Sequence, residues 1–452
     1  MNIFYKNRSL KRRVLIISGL VLFFFFGEIA LTFSDKGHAF IVNDEEVAFS
    51  LKLENRYSDF SVTEGIDQKV ADFMKRWKIK GVSVAVTKDE ELVYAKGFGY
   101  ADTERKESVK PGHLFRIASV SKLITAAAVM KLYEEGSLDL DEFVFGPEGI
   151  LDTATYNDYR DSRYEAIRVR HLLNHTAGWS RRNGDPMFNT LYIARKMNVD
   201  PPATIDDIIR YSLSRKLTYY PGTRYSYSNI GYAILGKIIE IKSGVPYEDF
   251  VILNILKPAG IHDMHLGRSF RHQRYPNEVS YYSVNGTVMT PSYDGSGELV
   301  PLHYGGNHIE LLGAAGGWIA SAPELAKLLS VLDGFDRQRD ILKKETLEMM
   351  VDPDRAGYGL FGWRGKDQAG TWWRTGYLNG STALLVRQHN GVNWVVLMNS
   401  STYRQSRIQR YTSAMMFNAL KDVEIWPYLN LFLVDQQWPE PITEIPESNP
   451  LL

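Results

Sequence analysis

Apolar and polar positions along the chain fall into three successive regimes. From Ile66 to Trp77 the stretch IDQKVADFMKRW places Val70, Phe73, Met74 and Trp77 on one face at helical spacing, which predicts an amphipathic helix. The next stretch, GVSVAVTKDEELVYAKGFGYAD, alternates Val82, Val84 and Val86, breaks at Lys88–Glu90 and resumes at Leu92, the pattern of a β-hairpin. Between about residues 115 and 345, helical patches alternate with long loops. Strand patterns then return in YGLFGWRG, TWWRTG, TALLVRQ and VNWVVLMNS, with Asn390-Gly391 between the last two as a hairpin turn. RIQRYTSAMMFNALKDV follows as a closing amphipathic helix. Strands and a helix at both ends, with helices between, predict an α+β fold. An antiparallel sheet flanked by helices is completed by both ends of the domain, with a mainly helical lobe inserted and a cleft between lobe and sheet.

The flanks change the picture. MNIFYKNRSLKRR carries five Lys and Arg residues ahead of VLIISGLVLFFFFG, a basic region before an apolar core, as in an export signal. Extending the run from Val14 to Phe33 gives twenty residues, about a bilayer span, though it includes Glu28. Gly37-His38-Ala39 offers small residues for cleavage but lies far from the apolar core. A cleaved signal and a retained anchor both remain open, with the anchor favoured. Either way the positive flank stays inside, and the rest of the chain lies across the membrane. The expected organisation is residues 1–39 as signal or anchor with linker, 60–423 as the folded domain, and 424–452 as a proline-rich tail.

Composition mainly excludes. With 53 basic against 53 acidic residues, no global field points to nucleic acid. With no cysteine, thiolate catalysis, disulfides and cysteine zinc sites are ruled out. His171 and His175 are four apart, but Leu172 stands where a zinc protease needs glutamate, so the pair is expected to fix a loop and no metal is expected. No G-x-S-x-G elbow and no phosphate-binding loop is present, and no cofactor is implied.

Three short motifs carry chemistry. In FRIASVSKLITAAAVMKLYEEG, Ser119 precedes a helix rich in Ala, Leu and Met that stops at Gly136. Lys122, one turn on, is expected to reach the Ser119 hydroxyl, and burial near the positive helix end favours its neutral amine, a base for the serine proton. Second, Tyr227-Ser228-Asn229 precede a helix with Gly231, Ala233 and Gly236. Tyr227 is placed to share protons with Lys122, and Asn229 to bond a substrate amide or Lys122. Tyr-x-Asn also occurs at Tyr377 and Tyr428, so the motif alone says little. Third, Arg374-Thr375-Gly376 follows a strand-like run, where an edge strand can pair with an extended substrate and lend an N–H to an oxyanion.

The order Ser-x-x-Lys, Tyr-x-Asn, basic-Thr-Gly resembles the penicillin-recognising serine hydrolases. The tyrosine form points to the branch of class C β-lactamases, D-Ala-D-Ala carboxypeptidases and esterases. VRHLLNHTAGW (Val169–Trp179) and AAGGWIASAPELAKLL (Ala314–Leu329) are similar to further segments of that branch, and the resemblance covers about residues 66–422. It implies a β-lactamase/transpeptidase-like fold with Ser119 acylated, Lys122 its proton partner, and Tyr227 the general acid/base. Asn229 would position substrate, and the N–H groups of Ser119 and Tyr377 would form the oxyanion hole. The family usually has lysine or histidine at position 374. Arg374 keeps a cation for a substrate carboxylate, with Thr375 and Gly376 beside it, but cannot act as a base. The expected function is a serine hydrolase of small-molecule or peptide amides or esters, with peptidase or esterase ranked above β-lactamase. A binding protein that has kept the fold and lost turnover is the non-enzyme alternative.

Overall fold

A pleated strand that buries both faces needs an apolar layer on each side, and the sheet of this protein has two. The computed structural model describes residues 31–33, 39–41, 47–151, 153–156, 158–283, 286–352 and 360–434. The chain divides into two units, residues 1–47 and 48–452. In the first, Leu31–Phe33 pairs antiparallel with Ala39–Ile41. The rest of the expected signal or anchor lies outside the described residues. Among those that are described, no helix is long and apolar enough to cross a membrane.

The second unit runs through helix α1 (Glu64–Trp77), strands β1 (Gly81–Lys88), β2 (Glu91–Asp102) and β3 (Glu107–Ser108), and helices α2 (Ser121–Glu134), α3 (Asn229–Ser243), α4 (Ile309–Gly316) and α5 (Ala322–Ser330). Strands β4 (Gly365–Lys366), β5 (Trp372–Leu378), β6 (Ser381–Arg387) and β7 (Val392–Met398) and helix α6 (Ile408–Leu420) follow, with shorter elements between. The sheet order is β4-β5-β6-β7-β1-β2-β3, antiparallel throughout. The β7–β1 pairing is what lets both ends of the domain complete one sheet.

Alternation along the strands assigns the two layers. Val82, Val84 and Val86 of β1 and Trp394, Val396 and Met398 of β7 form one core with Ile66, Val70, Phe73 and Trp77 of α1 and with α6. Burying an aliphatic or phenyl side chain there contributes about 1.5–3 kcal/mol. Ala85, Ala383, Leu385, Val395 and Leu397 face the other way, toward α5 and α2. Helix α2 is buried nearly all round, from Ser121 to Met130. It is the central helix of the main core rather than a surface helix with one apolar stripe.

Three features differ from the sequence expectation. The segment before residue 60, left outside the expected domain, is docked, with Phe49 and Leu53 buried and Ser50 Oγ donating to Glu324 Oε1 at 3.0 Å. Its short 3₁₀ turns have no periodicity to read. Past Val423, Leu431 and Phe432 are buried, and Phe432 meets Phe49 with ring centroids 5.5 Å apart. Residues 435–452 lie outside the described residues. Finally, YGLFGWRG gives only the two-residue strand β4, its first two residues lying outside those described.

Candidate active site

Ser119 sits not in the first turn of α2 but in a 3₁₀ turn, Ala118–Val120, that leads into it. Ala118 holds φ at 50°, a conformation that costs an L-residue about 1–2 kcal/mol and so must be imposed by its surroundings. Ser121 Oγ supplies part of that constraint, donating to Ala118 O at 2.7 Å and accepting from Trp318 N at 3.2 Å. On the other side the turn abuts β5. A Cβ built on Gly376 would lie 2.0 Å from Ile117 O, so only glycine lets the strand come this close. Strand β4 covers β5 only at Trp372 and Trp373, which leaves the Arg374–Leu378 edge beside the Ser119 turn. Arg374, Thr375 and Gly376 therefore lie within a strand rather than after one.

Tyr227 Oη donates to Ser119 Oγ at 2.8 Å. Lys122, fully buried, turns elsewhere: Nζ donates to Asn229 Oδ1 at 2.7 Å and to the carbonyl of Ala315. Among the described residues no hydrogen bond joins Lys122 to Ser119, so the direct contact expected from the one-turn spacing is replaced by proximity through Tyr227. Lys122 Nζ lies 5.1 Å from the centroid of the Tyr227 ring. Asn229 is the first residue of α3, behind Ser228, whose Oγ accepts from Gly231 N at 3.3 Å. Both ends of its amide are engaged, because Nδ2 donates to Asp185 Oδ2 at 2.7 Å.

The electrostatics follow from burial and charge. Burial pushes the Lys122 ammonium down, and Arg374 adds to this, while Tyr227 and Asp185 oppose it. Burial alone would push the Tyr227 phenol up, but Lys122 and Arg374 bring it down to about 8. His175, in a left-handed turn at φ 61°, packs against Tyr227 with ring centroids 4.5 Å apart and planes tilted by 41°, and accepts from Ser228 N at 3.3 Å. Burial, and then Arg374, hold its imidazole neutral. His171 Nδ1 accepts from Arg168 N at 3.1 Å. Both histidines serve loop geometry, and among the described residues no cluster of metal-ligating side chains is present.

Arg374 departs most from expectation. It is 2% exposed, and its Nε donates to the carbonyl of Ser119 at 2.7 Å. Its first task is to brace the serine turn, not to meet solvent. Nη2 is nonetheless buried with no partner among the described residues. The residue belongs to the wall of a cavity of about 340 Å³ together with Ser119, Tyr227, Thr375 and Tyr377. Arg181 and Arg364 line the same cavity, and among the described residues no carboxylate does. Sequence reasoning missed Arg181, Arg364 and Asp185. Asp185 had one local signal, an Asp-Pro step that caps a 3₁₀ turn through Met187 N at 3.1 Å.

The model of the family described as Beta-lactamase matches residues 66–415. Penicillin-binding protein 4* of Bacillus subtilis (strain 168) is 28% identical over 293 residues, covering 62% of this chain and 58% of that protein. The chain thus spans little more than half the length of that relative. Among solved structures, an octameric penicillin-binding protein homologue from Pyrococcus abyssi superposes with a TM-score of 0.60 at 28% identity, over 80% of this chain and 79% of the other. The D-amino acid amidase from Ochrobactrum anthropi SV3 does so with 0.63 at 23% identity, over 81% and 100%. At that identity the second likeness is one of fold.

Proposed function

The chain belongs to the beta-lactamase family, and on that footing we propose that it is a serine hydrolase working through a covalent acyl-enzyme on Ser119. The observation that carries the reading is the 2.8 Å contact between Tyr227 Oη and Ser119 Oγ, beside Lys122, which helps bring the Tyr227 phenol down to about 8. With Tyr227 ionised and its phenolate held by the charge of Lys122, Oη takes the Ser119 proton as Oγ attacks the substrate carbonyl. The N–H groups of Ser119 and Tyr377 hold the oxyanion. When the C–N or C–O bond breaks, the proton passes back from Tyr227 to the leaving group, and water then cleaves the ester on Ser119. Asn229 acts by holding Lys122.

The cavity wall narrows the substrate. The positive wall formed by Arg181, Arg364 and Arg374 suits a carboxylate on the leaving group, as in a peptide ending in a free D-amino acid. A peptidase therefore ranks before an esterase of neutral substrates. A β-lactam, whose carboxylate would meet the same wall, is the second reading. Because Arg374 also braces Ser119, Arg374→Ala should slow neutral esters as well, whereas Arg364→Ala should act on carboxylate substrates alone. We place the catalytic unit outside the cytoplasm, tethered by residues 14–33 or freed by cleavage, on the strength of the basic-then-apolar N-terminus.

The test is a panel of D-Ala-D-Ala peptides, their C-terminal amides, simple esters and β-lactams, followed by turnover and by intact mass. An adduct on Ser119, with free-acid peptides turned over faster than the amides, is expected. Equal turnover removes the carboxylate subsite. Neither turnover nor an adduct with any member brings the binding-protein reading forward.

A further inference from the structure

We propose that Asp185 is a positioning residue of this site, whose carboxylate fixes the Asn229 amide so that its oxygen faces Lys122. The inference rests on the acyl-enzyme reading above. The two ends of an asparagine amide are nearly the same size but opposite in character. Only the orientation with Oδ1 toward Nζ attracts the lysine, and the reverse would set N–H groups against an ammonium. A partner on the far side must select between them. Asp185 Oδ2 lies 2.7 Å from Asn229 Nδ2, and a carboxylate can only accept, so it tolerates one orientation alone. The result is a chain of three groups, Asp185 to Asn229 to Lys122, with both links at 2.7 Å.

Asp185 is itself held in place. Oδ1 accepts from Met187 N at 3.1 Å, Pro186 opens the 3₁₀ turn that follows, and Asn189 Nδ2 donates to the Asp185 carbonyl at 2.6 Å. The carboxylate reaches the site from the loop after the short helix Val169–Leu173, not from the nucleophile helix or α3. It stands in the wall of a second cavity of about 440 Å³, which shares Arg181, Tyr227 and Asn229 with the first. Around Lys122 the other facing groups are the rings of Tyr227 and Tyr232, at 5.1 and 5.5 Å from Nζ, the guanidinium of Arg374 and the neutral His175. Asp185 thus sets a negative charge against the positive one of Arg374, and it favours the ammonium. Its removal should let Lys122 lose its proton at lower pH.

The experiment follows the rate at which a fluorophosphonate labels Ser119 in the full-length protein between pH 5 and pH 10, with thermal midpoints measured alongside. Asp185→Ser keeps a cap for the 3₁₀ turn but is too short to hold Asn229, and should label on the order of tenfold to a hundredfold more slowly. Asp185→Asn restores an acceptor without charge. It should recover part of that rate, and the acid limb of its profile, set by Tyr227, should move to higher pH, because a lysine that holds its proton less well stabilises the phenolate less. Asp185→Ser labelling at the wild-type rate overturns the proposal, as does an Asp185→Asn limb that stays where the wild type has it. If Asp185→Ser does not fold, the Asp185→Asn limb decides alone. A wild-type protein that takes no label sinks the acyl-enzyme reading instead, so the two failures are distinguishable.

Discussion

Gly376→Ala is the change that most directly tests how the sheet sets up the serine. The added Cβ would lie 2.0 Å from Ile117 O and 3.2 Å from Ala118 Cβ. Ordinary contact begins near 3.4 Å, so β5 and the serine turn must part by more than 1 Å. The obstacle is backbone on both sides, and no flexible side chain can yield. A displacement of about 1 Å at a reacting group costs on the order of a hundredfold in rate, or about 2.7 kcal/mol of barrier. Gly376→Ala should therefore slow covalent labelling of Ser119 by about that factor. Gly65 in α1 is the control, since a Cβ there meets nothing within 4 Å. Gly65→Ala should leave labelling unchanged and add less than the about 1 kcal/mol that alanine brings in a helix interior, since Gly65 is in the first turn of α1. The measurement is the second-order labelling rate constant beside the thermal midpoint of each variant. A Gly376→Ala protein that labels within about twofold of wild type would refute the reasoning, because the strand would then not be fixing the turn.

Tyr227→Phe removes one hydroxyl and keeps the ring against His175, so the fold should hold while turnover falls by about 10²–10⁴, the usual worth of a general acid/base. Wild-type labelling should rise with pH toward about 8, where Tyr227 loses its proton, and a rate flat from pH 6 to pH 9 would exclude it as the base. Glu324 is buried, with no partner for Oε2 among the described residues, and burial raises its carboxyl from the ordinary 4.5 to about 8. The folded state then holds a proton that the unfolded state releases, so its contribution is full below pH 4.5 and is lost as pH rises to about 8. Glu324→Gln should lose part of that slope, so the variant gains on wild type between pH 5 and pH 9 in denaturant midpoints. Parallel curves would show that Glu324 does not titrate in this window.

Periodicity made the sheet and its outer layer legible. Val82, Val84 and Val86 alternate because one face of β1 meets α1, and Val70, Phe73 and Trp77 recur at helical spacing because α1 returns the contact. Helix α2 was legible by composition and by its stop at Gly136, which takes φ +72°, but not by an apolar stripe, since it is buried on all sides. The docked segments 49–53 and 431–434 are too short to carry a period. In the site, spacing brought out Ser119, Lys122, Tyr227 and Asn229, whose near neighbours in sequence are near neighbours in space. Which atom bonds which was not legible, since Lys122 turns to Asn229 and Ala315 while Tyr227 takes the contact with Ser119. Arg374 was expected to face a substrate and instead braces a carbonyl 255 residues away in sequence. Asp185 reaches Asn229 from 44 residues away, through a loop that no local pattern describes.

The central claim is that Ser119 is an activated nucleophile, and intact-protein mass after treatment with a fluorophosphonate tests it directly. The account predicts one adduct on the wild-type protein, located at Ser119 by peptide mapping and absent from Ser119→Ala. An adduct that persists in Ser119→Ala, or none on folded wild-type protein, would contradict it.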